Sequence, residues 1–324
     1  MYSHLPLGLE HDRPSYALQP SLPLKVHNKK GQLRKFVHKA TLQEAHNEVL
    51  ALKFDPTDKY LACGYGDGAV RIFNTSSGKC AFTLSSHVDK FGGSGDGMPV
   101  TGVLWRPHSN EMKTANVLVS SHANGIIKHW HATSGRCLHQ ITCAEEEENH
   151  FYTMDYNPSG TVLAAAGKDR YIRLYDEQTK SLLLKMKESA TLCGHSNRIY
   201  CVKFNPMDPN MIASGGWDNT IQIYDIRRKG PVKSIYGPHV CGETIDFRND
   251  GTTLLTGSYR QEDPLELFDL RKFQKFRDIA WNGPSSQDQE PIENQLVEEH
   301  VHEEDDFRNL EQEEEEKSEE ASTQ

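Results

Sequence analysis

The residues that most invite a chemical reading are the glycine-rich run Gly92-Gly93-Ser94-Gly95-Asp96-Gly97. A phosphate-cradling loop must end in Gly-Lys-Ser/Thr and open a helix, so that backbone N–H groups and the helix N-terminus meet the anion. Here Met98, Pro99 and Val100 follow and enter a strand, so the run reads as a flexible connection. Cys137, His139 and Cys143 bring metal-ligating types close in sequence. Tetrahedral zinc wants four ligands at recurring spacings, whereas Cys137 and His139 share one face of a predicted strand with no fourth ligand, so no metal site is expected. His300 and His302 lie in an acidic stretch that specifies no cation site. The chain has no Gly-x-Ser-x-Gly elbow, His-Glu-x-x-His pair or kinase signature. These observations point away from catalysis and from a cofactor.

Charge narrows the partner class. The net charge of -10 is unevenly placed: residues 285–324 contain 16 acidic and 2 basic side chains, leaving 34 basic and 30 acidic in the rest. A Glu-rich, aromatic-poor stretch cannot bury enough apolar surface to fold, so 285–324 is expected to be a disordered acidic tail. The mild positive balance of the remainder falls short of a nucleic-acid footprint, and the local basic run Lys25 to Lys39 reads as an edge strand blunted by lysines. No apolar run long enough to span a bilayer occurs, and the opening MYSHLPLGLEHDRPSY lacks the order of a secretory leader. Seven dispersed cysteines without a Cys-x-x-Cys pair fit reduced thiols inside the cell. Cytoplasm, nucleus and cytoskeleton all remain open as locations.

Side chains must be held by something, and the sequence shows what. GYGDGAVRIFN, SSHANGIIKHWH, AAGKDRYIRLYD, SGGWDNTIQIYD and TGSYRQEDPLELFD share a small-residue turn, an alternating strand and an aromatic-polar ending. Their aromatic members Phe73, Trp130, Tyr175, Tyr224 and Phe268 lie 57, 45, 49 and 44 residues apart, near the ~40–45 of a four-stranded propeller blade. Loop-like insertions, KFGGSGDGM and EEEEN, lengthen two of the gaps. Upstream strands such as VLALKFDPTDK and IYCVKFNPMD, and downstream ones such as KCAFTL and PVKSIY, complete four antiparallel strands per repeat.

On these motifs the chain resembles the WD-repeat (WD40) family over about residues 22 to 281, which implies an all-β propeller. The fourth repeat is the closest match, with Gly194-His195, Ser214, Asp218 and Tyr224-Asp225 where the family has a buried His, Ser, Asp and Trp network. Tyr224 lacks the indole N–H, which makes that network partial. His46 and Asp67 stand at the corresponding positions of the first repeat and Asp169 of the third, while Asn124 and Arg260 replace the Asp in the second and fifth.

Ring closure is less regular. LKVHN at 24–28 matches VRIFN, and with GQLRKFV it looks like a half-blade, yet nothing after Trp281 supplies the complementary half. The expected organisation is a flexible segment 1–21, a propeller domain 22–284 with five repeats plus a half-blade, and the tail 285–324. A shortened ring is the preferred reading, beside an irregular six-bladed ring and a partner that donates strands.

Resemblance to the family implies recognition rather than chemistry, through top-face positions on each first strand and before each turn Asp. These map to Arg198, Tyr200 and Trp217 in the fourth repeat, His150, Tyr152 and Lys168 in the third, and Glu243 and Tyr259 in the fifth, with Arg260 adjoining. In the first and second repeats they are Glu48, Leu50, Pro99 and Thr101. The cluster of aromatic rings and cations suits an acidic or phosphorylated peptide of a protein partner within a multiprotein complex. The tethered tail could compete for such a face. IQIYDIR and LELFDLR resemble the aromatic-Asp-x-Arg box of substrate receptors of cullin-RING ubiquitin ligases, which would make Arg227 and Arg271 adaptor contacts; this is the alternative reading.

Overall fold

A computed structural model describes residues 25–27, 33–35, 41–42, 47–85, 97–107, 116–142 and 149–279. The segment 1–21, the tail 285–324, His46, Cys143 and most of the glycine-rich run lie outside the described residues. The chain divides into two compact units, residues 1–143 and 144–324.

The first unit contains the hairpin β1 (Lys25–His27) and β2 (Leu33–Lys35), the two strands of the expected half-blade, paired antiparallel. It also contains two four-stranded sheets. The first sheet is β3 (Val49–Phe54), β4 (Tyr60–Tyr65), β5 (Val70–Asn74) and β6 (Cys80–Leu84). The second is β7 (Val100–Trp105), β8 (Val117–His122), β9 (Ile126–His131) and β10 (Arg136–Thr142).

The second unit has three such sheets. The third sheet is β11 (Phe151–Tyr156), β12 (Val162–Gly167), β13 (Ile172–Asp176) and β14 (Leu182–Met186). The fourth is β15 (Ile199–Phe204), β16 (Met211–Gly216), β17 (Thr220–Asp225) and β18 (Gly230–Tyr236). The fifth is β19 (Ile245–Phe247), β20 (Thr253–Gly257), β21 (Leu265–Asp269) and β22 (Gln274–Ile279). Every sheet is an antiparallel meander in chain order, so each repeat of the sequence is one blade.

Burial follows one rule within each unit. The first strand of a sheet packs on the middle and last strands of the sheet before it: Val103 and Trp105 with Ala62, Ile72 and Leu84, Val202 and Phe204 with Ala164, Leu174 and Met186, and Ile245 and Phe247 with Ala213, Ile223 and Ile235. Close approach of the sheets needs a residue without Cβ at two equivalent points. A Cβ on Gly64 would come 2.5 Å from Val100, and one on Gly215 would come 2.8 Å from Ile245 and Val240.

Edge strands must also satisfy their outward N–H groups. Thr153 Oγ1 of β11 accepts from the Val202 N–H of β15 at 3.1 Å, and the Asp155 carboxylate from that of Phe204 at 2.8 Å. In the first unit the Trp105 indole donates to the Lys53 carbonyl at 3.1 Å. Polar side chains on the first strands thus join neighbouring sheets.

Candidate functional site

The pairing register slips by one residue near the start of β11 and again near the start of β15, between Phe151 and Thr153 and between Ile199 and Cys201. An extra residue in one strand re-aims its side chain, and the two residues so placed are Tyr152 and Tyr200. Glycine at the end of the facing strand lets the preceding segment lie close: a Cβ on Gly167 would sit 1.8 Å from the His150 carbonyl oxygen, and one on Gly216 2.0 Å from that of Arg198. The Lys168 and Trp217 N–H groups then donate to those same carbonyls at 3.0 and 3.2 Å.

The result is a run of five stacked rings in the second unit. His150 and Tyr152 are 6.4 Å apart at 11°, Tyr152 and Tyr200 4.8 Å at 7°, Tyr200 and Trp217 5.1 Å at 28°, and Trp217 and His239 6.4 Å at 17°. The Arg198 guanidinium carbon lies 5.6 Å from the Trp217 ring centre, within cation–π range. Stacking faces the three central rings toward one another, so what they present outward is ring edges and hydroxyls. A ring edge carries the positive end of the aromatic quadrupole. With Arg198 among them, these edges form a surface suited to carboxylate, phosphate or carbonyl oxygen. Burial raises the Tyr152 hydroxyl above its ordinary pKa, with Arg198 opposing, so the phenol stays a neutral donor.

Trp217 is 40% exposed and is held by the turn that follows it. Asp218 accepts from His195 Nδ1 at 2.8 Å, from the Ser196 N–H at 2.9 Å and from Thr220. His195 Nε2 lies 2.7 Å from Ser214 Oγ, so the ring bridges the hydroxyl and the Asp218 carboxylate. Burial alone would raise Asp218, but the bonds from His195, Thr220 and Ser196 hold its carboxyl below the usual range. Tyr224 meets this network only through backbone: its hydroxyl accepts from the His195 N–H and donates to the Lys187 carbonyl at 3.0 Å.

Equivalent positions in the other sheets are rebuilt rather than lost. In the second sheet the Trp130 indole donates to Ser120 Oγ at 2.8 Å, Ser120 is 3.0 Å from His122 Nε2, and His122 Nδ1 is 3.3 Å from the Met98 carbonyl. This histidine comes from the strand itself, which is why matching histidines before the first strand overlooks it. Where Cys63 and Ala165 replace the serine, the facing residue is arginine, and it pairs with the turn aspartate: Asp67 with Arg71 at 2.9 Å, and Asp169 with Arg173. The fifth sheet reverses the charges, with Arg260 paired to Glu266 at 3.0 Å and donating to the Asp263 carbonyl.

Several mapped top-face residues therefore have other engagements. Arg260 belongs to that ion pair. Glu243 faces Lys203 at 4.0 Å, with Asp155 on the other side at 3.9 Å. Burial alone would lower the Lys203 ammonium, but these carboxylates carry it above its ordinary value. Tyr259 is 82% exposed and outside the ring stack, and its N–H donates to the His239 carbonyl. The same bond from Trp217 reaches Arg198, so His239 is the fifth-sheet counterpart that the strand pattern misses. A Gly-Pro-His sequence in the β18–β19 connection is its only signal. Lys168 is part-buried beside His150. In the first unit, Leu50 is exposed and Thr101 bonds Ser121 at 2.9 Å, and no aromatic stack forms among its described residues.

Arg227 and Arg271 form two identical modules. Each forks its guanidinium onto the aspartate two residues earlier, Asp225 or Asp269, which also accepts the arginine N–H. The Arg271 bonds hold Asp269 near a pKa of about 2. Among the described residues no group of three or more His, Cys, Asp or Glu is placed to hold a metal, and no helix is long and apolar enough to cross a membrane.

Comparisons with known proteins agree with the architecture. Residues 135–176 and 186–225 match the family described as WD domain, G-beta repeat, and residues 26–108 match the Anaphase-promoting complex subunit 4 WD40 domain. Periodic tryptophan protein 2 homolog of Dictyostelium discoideum is 28% identical over 222 residues, 68% of this chain and 20% of the relative. Periodic tryptophan protein 2 of Arabidopsis thaliana is 25% identical over 245 residues, 74% and 24% of the two chains. Protein FIZZY-RELATED 3 of the same plant is 24% identical over 194 residues, 58% and 35%. The chain thus spans between 20% and 35% of the length of these relatives. With five four-stranded meanders, one per repeat, and family matches in both units, the chain belongs to the WD-repeat family.

Proposed function

We propose that the chain is a non-enzymatic scaffold, working inside the cell, that presents the aromatic ladder of its second unit to an acidic or phosphorylated peptide of a partner in a multiprotein complex. The observation that carries this reading is the ladder itself. Five rings from four separate segments are stacked beside Arg198, the three central ones with their edges outward, and a preorganised array of this kind suits oxygen-rich anions because few side chains need reordering. Membership of the WD-repeat family supports a recognition role, although a fold alone does not assign one.

The test compares the full chain with the variant carrying Arg198→Ala, Tyr200→Ala and Trp217→Ala, once circular dichroism shows both folded. Probes are labelled Glu-rich and phosphoserine peptides, with a Lys-rich peptide as control. Saturable binding of the acidic probes, weakened at least tenfold in the variant and by salt, supports the reading; equal binding by both proteins refutes it. A ligase-adaptor contact through Arg227 and Arg271 ranks second. Both arginines are exposed, but each already has a carboxylate partner.

A further inference from the structure

Arginines near the turns of the first, third and fifth sheets are each paired with a carboxylate: Arg71 with Asp67, Arg173 with Asp169 and Arg260 with Glu266. Arg198 is different. Among the described residues no carboxylate lies within ion-pair distance of it. Its polar neighbours are phenols: the guanidinium hydrogen-bonds the Tyr200 hydroxyl and acts on that of Tyr152 through its charge. Asp218, next in the chain to Trp217, has its carboxylate engaged by His195, Ser196 and Thr220. An uncompensated guanidinium therefore stands at the ladder, and Arg198, Tyr152 and Tyr200 are all only part-buried.

These three polar groups form one cluster of donors. Tyr152 and Tyr200 occupy equivalent positions of β11 and β15, and their rings lie 4.8 Å apart and 7° from parallel, close enough for the hydroxyls to act on one another. Because the Tyr200 hydroxyl accepts from Arg198, its own proton is left to donate outward. Two hydroxyls at ring spacing can each reach a different oxygen of one anion at an ordinary O–H···O length of about 2.7 Å, while the guanidinium takes a third. A carboxylate offers two oxygens and one charge. A phosphate monoester offers three oxygens and a charge of about -1.5 to -2, which matches three donors that include an unpaired cation. The central rings also occupy one another's faces, so the stack has no slot for an aromatic phosphoresidue between them. From this set of donors we infer that Arg198, Tyr152 and Tyr200 together seat the phosphate of a phosphoserine or phosphothreonine in a partner peptide. The inference rests on the ladder as the binding surface and narrows its ligand from acidic peptides in general to a phosphomonoester on a short side chain.

Fluorescence anisotropy with the full chain tests it, using labelled peptides with neutral flanks that differ only at one central position, phosphoserine, Glu or Ser. Phosphoserine should bind about tenfold tighter than Glu or more, the effect of one further hydrogen bond to a charged group, and the Ser peptide should not bind. Tyr152→Phe and Tyr200→Phe keep the rings and remove one donor each. Each should weaken phosphoserine binding by about tenfold while near-ultraviolet circular dichroism shows the stack intact, and Arg198→Gln should abolish the preference over Glu. Equal binding of phosphoserine and Glu, or phosphoserine binding unchanged by either tyrosine substitution, overturns the inference. The ladder reading survives that result if the triple variant Arg198→Ala, Tyr200→Ala and Trp217→Ala still loses the Glu peptide. Absence of binding by both charged peptides overturns the two together. Inorganic phosphate that competes as well as the unlabelled phosphopeptide at equal concentration overturns the assignment to a peptide.

Discussion

The ladder makes a quantitative prediction that needs no ligand. Tyr200 is stacked on both faces, by Tyr152 at 4.8 Å and Trp217 at 5.1 Å. Tyr152 has one such neighbour, its other contact being the longer one to His150 at 6.4 Å. An aromatic pair contributes about 0.5–1.5 kcal/mol beyond the area it buries. Tyr200→Ala should therefore lose about 1–3 kcal/mol of stacking and Tyr152→Ala about half as much, before the area each ring buries is counted. Urea unfolding of the full chain, followed by near-ultraviolet circular dichroism, measures both losses, and double-substitution cycles isolate the pairwise terms. Tyr152 with Tyr200, and Tyr200 with Trp217, should each couple by about 0.5 kcal/mol or more. Tyr152 with Trp217, which meet only through Tyr200, should couple less than either touching pair. Additive behaviour of the touching pairs, or a smaller loss at Tyr200 than at Tyr152, would refute the picture of a preorganised stack.

Buried groups of the fourth sheet allow three further tests. His195→Ala strands both the Ser214 hydroxyl and one bonding site of Asp218, so about 2–5 kcal/mol should be lost against about 1–3 for Ser214→Ala, measured by urea unfolding. The Asp218 carboxyl is held below its ordinary value in the folded chain, so its contribution is present above the unfolded value of about 3.9 and disappears as pH falls through the folded one. The stability gap between the native chain and Asp218→Asn should accordingly narrow in acid, and a gap that widens there contradicts the assignment. Burial pushes the Cys201 thiol up to about 12, so iodoacetamide at roughly pH 8 should leave it unlabelled in the folded chain while exposed Cys193 and Cys241 react, as mass spectrometry of the peptides would show.

Periodicity made the blades legible because strand, turn and aromatic recur with a register that local propensity supports. It was weakest at sheet margins. β22 is exposed along most of its length, so QKFRDI shows no alternation of apolar and polar residues to announce a strand. The candidate site was legible in part. Tyr152, Tyr200, Trp217 and Arg198 sit at positions that can be counted from each repeat, whereas His239 arrives from a connection whose path no pattern predicts.

What the sequence by itself determined is the repeat, hence the all-β class, the four strands per unit and the positions able to carry recognition side chains. Short-range chemistry suffices for that: alternation selects a face, and glycine, asparagine or aspartate takes most of the left-handed turn positions. Only the tertiary structure decided how substitutions in one repeat are compensated in space. Arg71 and Arg173 answer a missing serine, His122 answers a missing histidine, and Arg260 with Glu266 inverts an ion pair, because partners that meet across strands are set by packing and register, not by distance along the chain. The same holds for the ladder: the one-residue slip recurs in β3, β7, β11 and β15, but only in the last two does it carry a tyrosine, and Trp217 and His239 reach those rings from a turn and a connection.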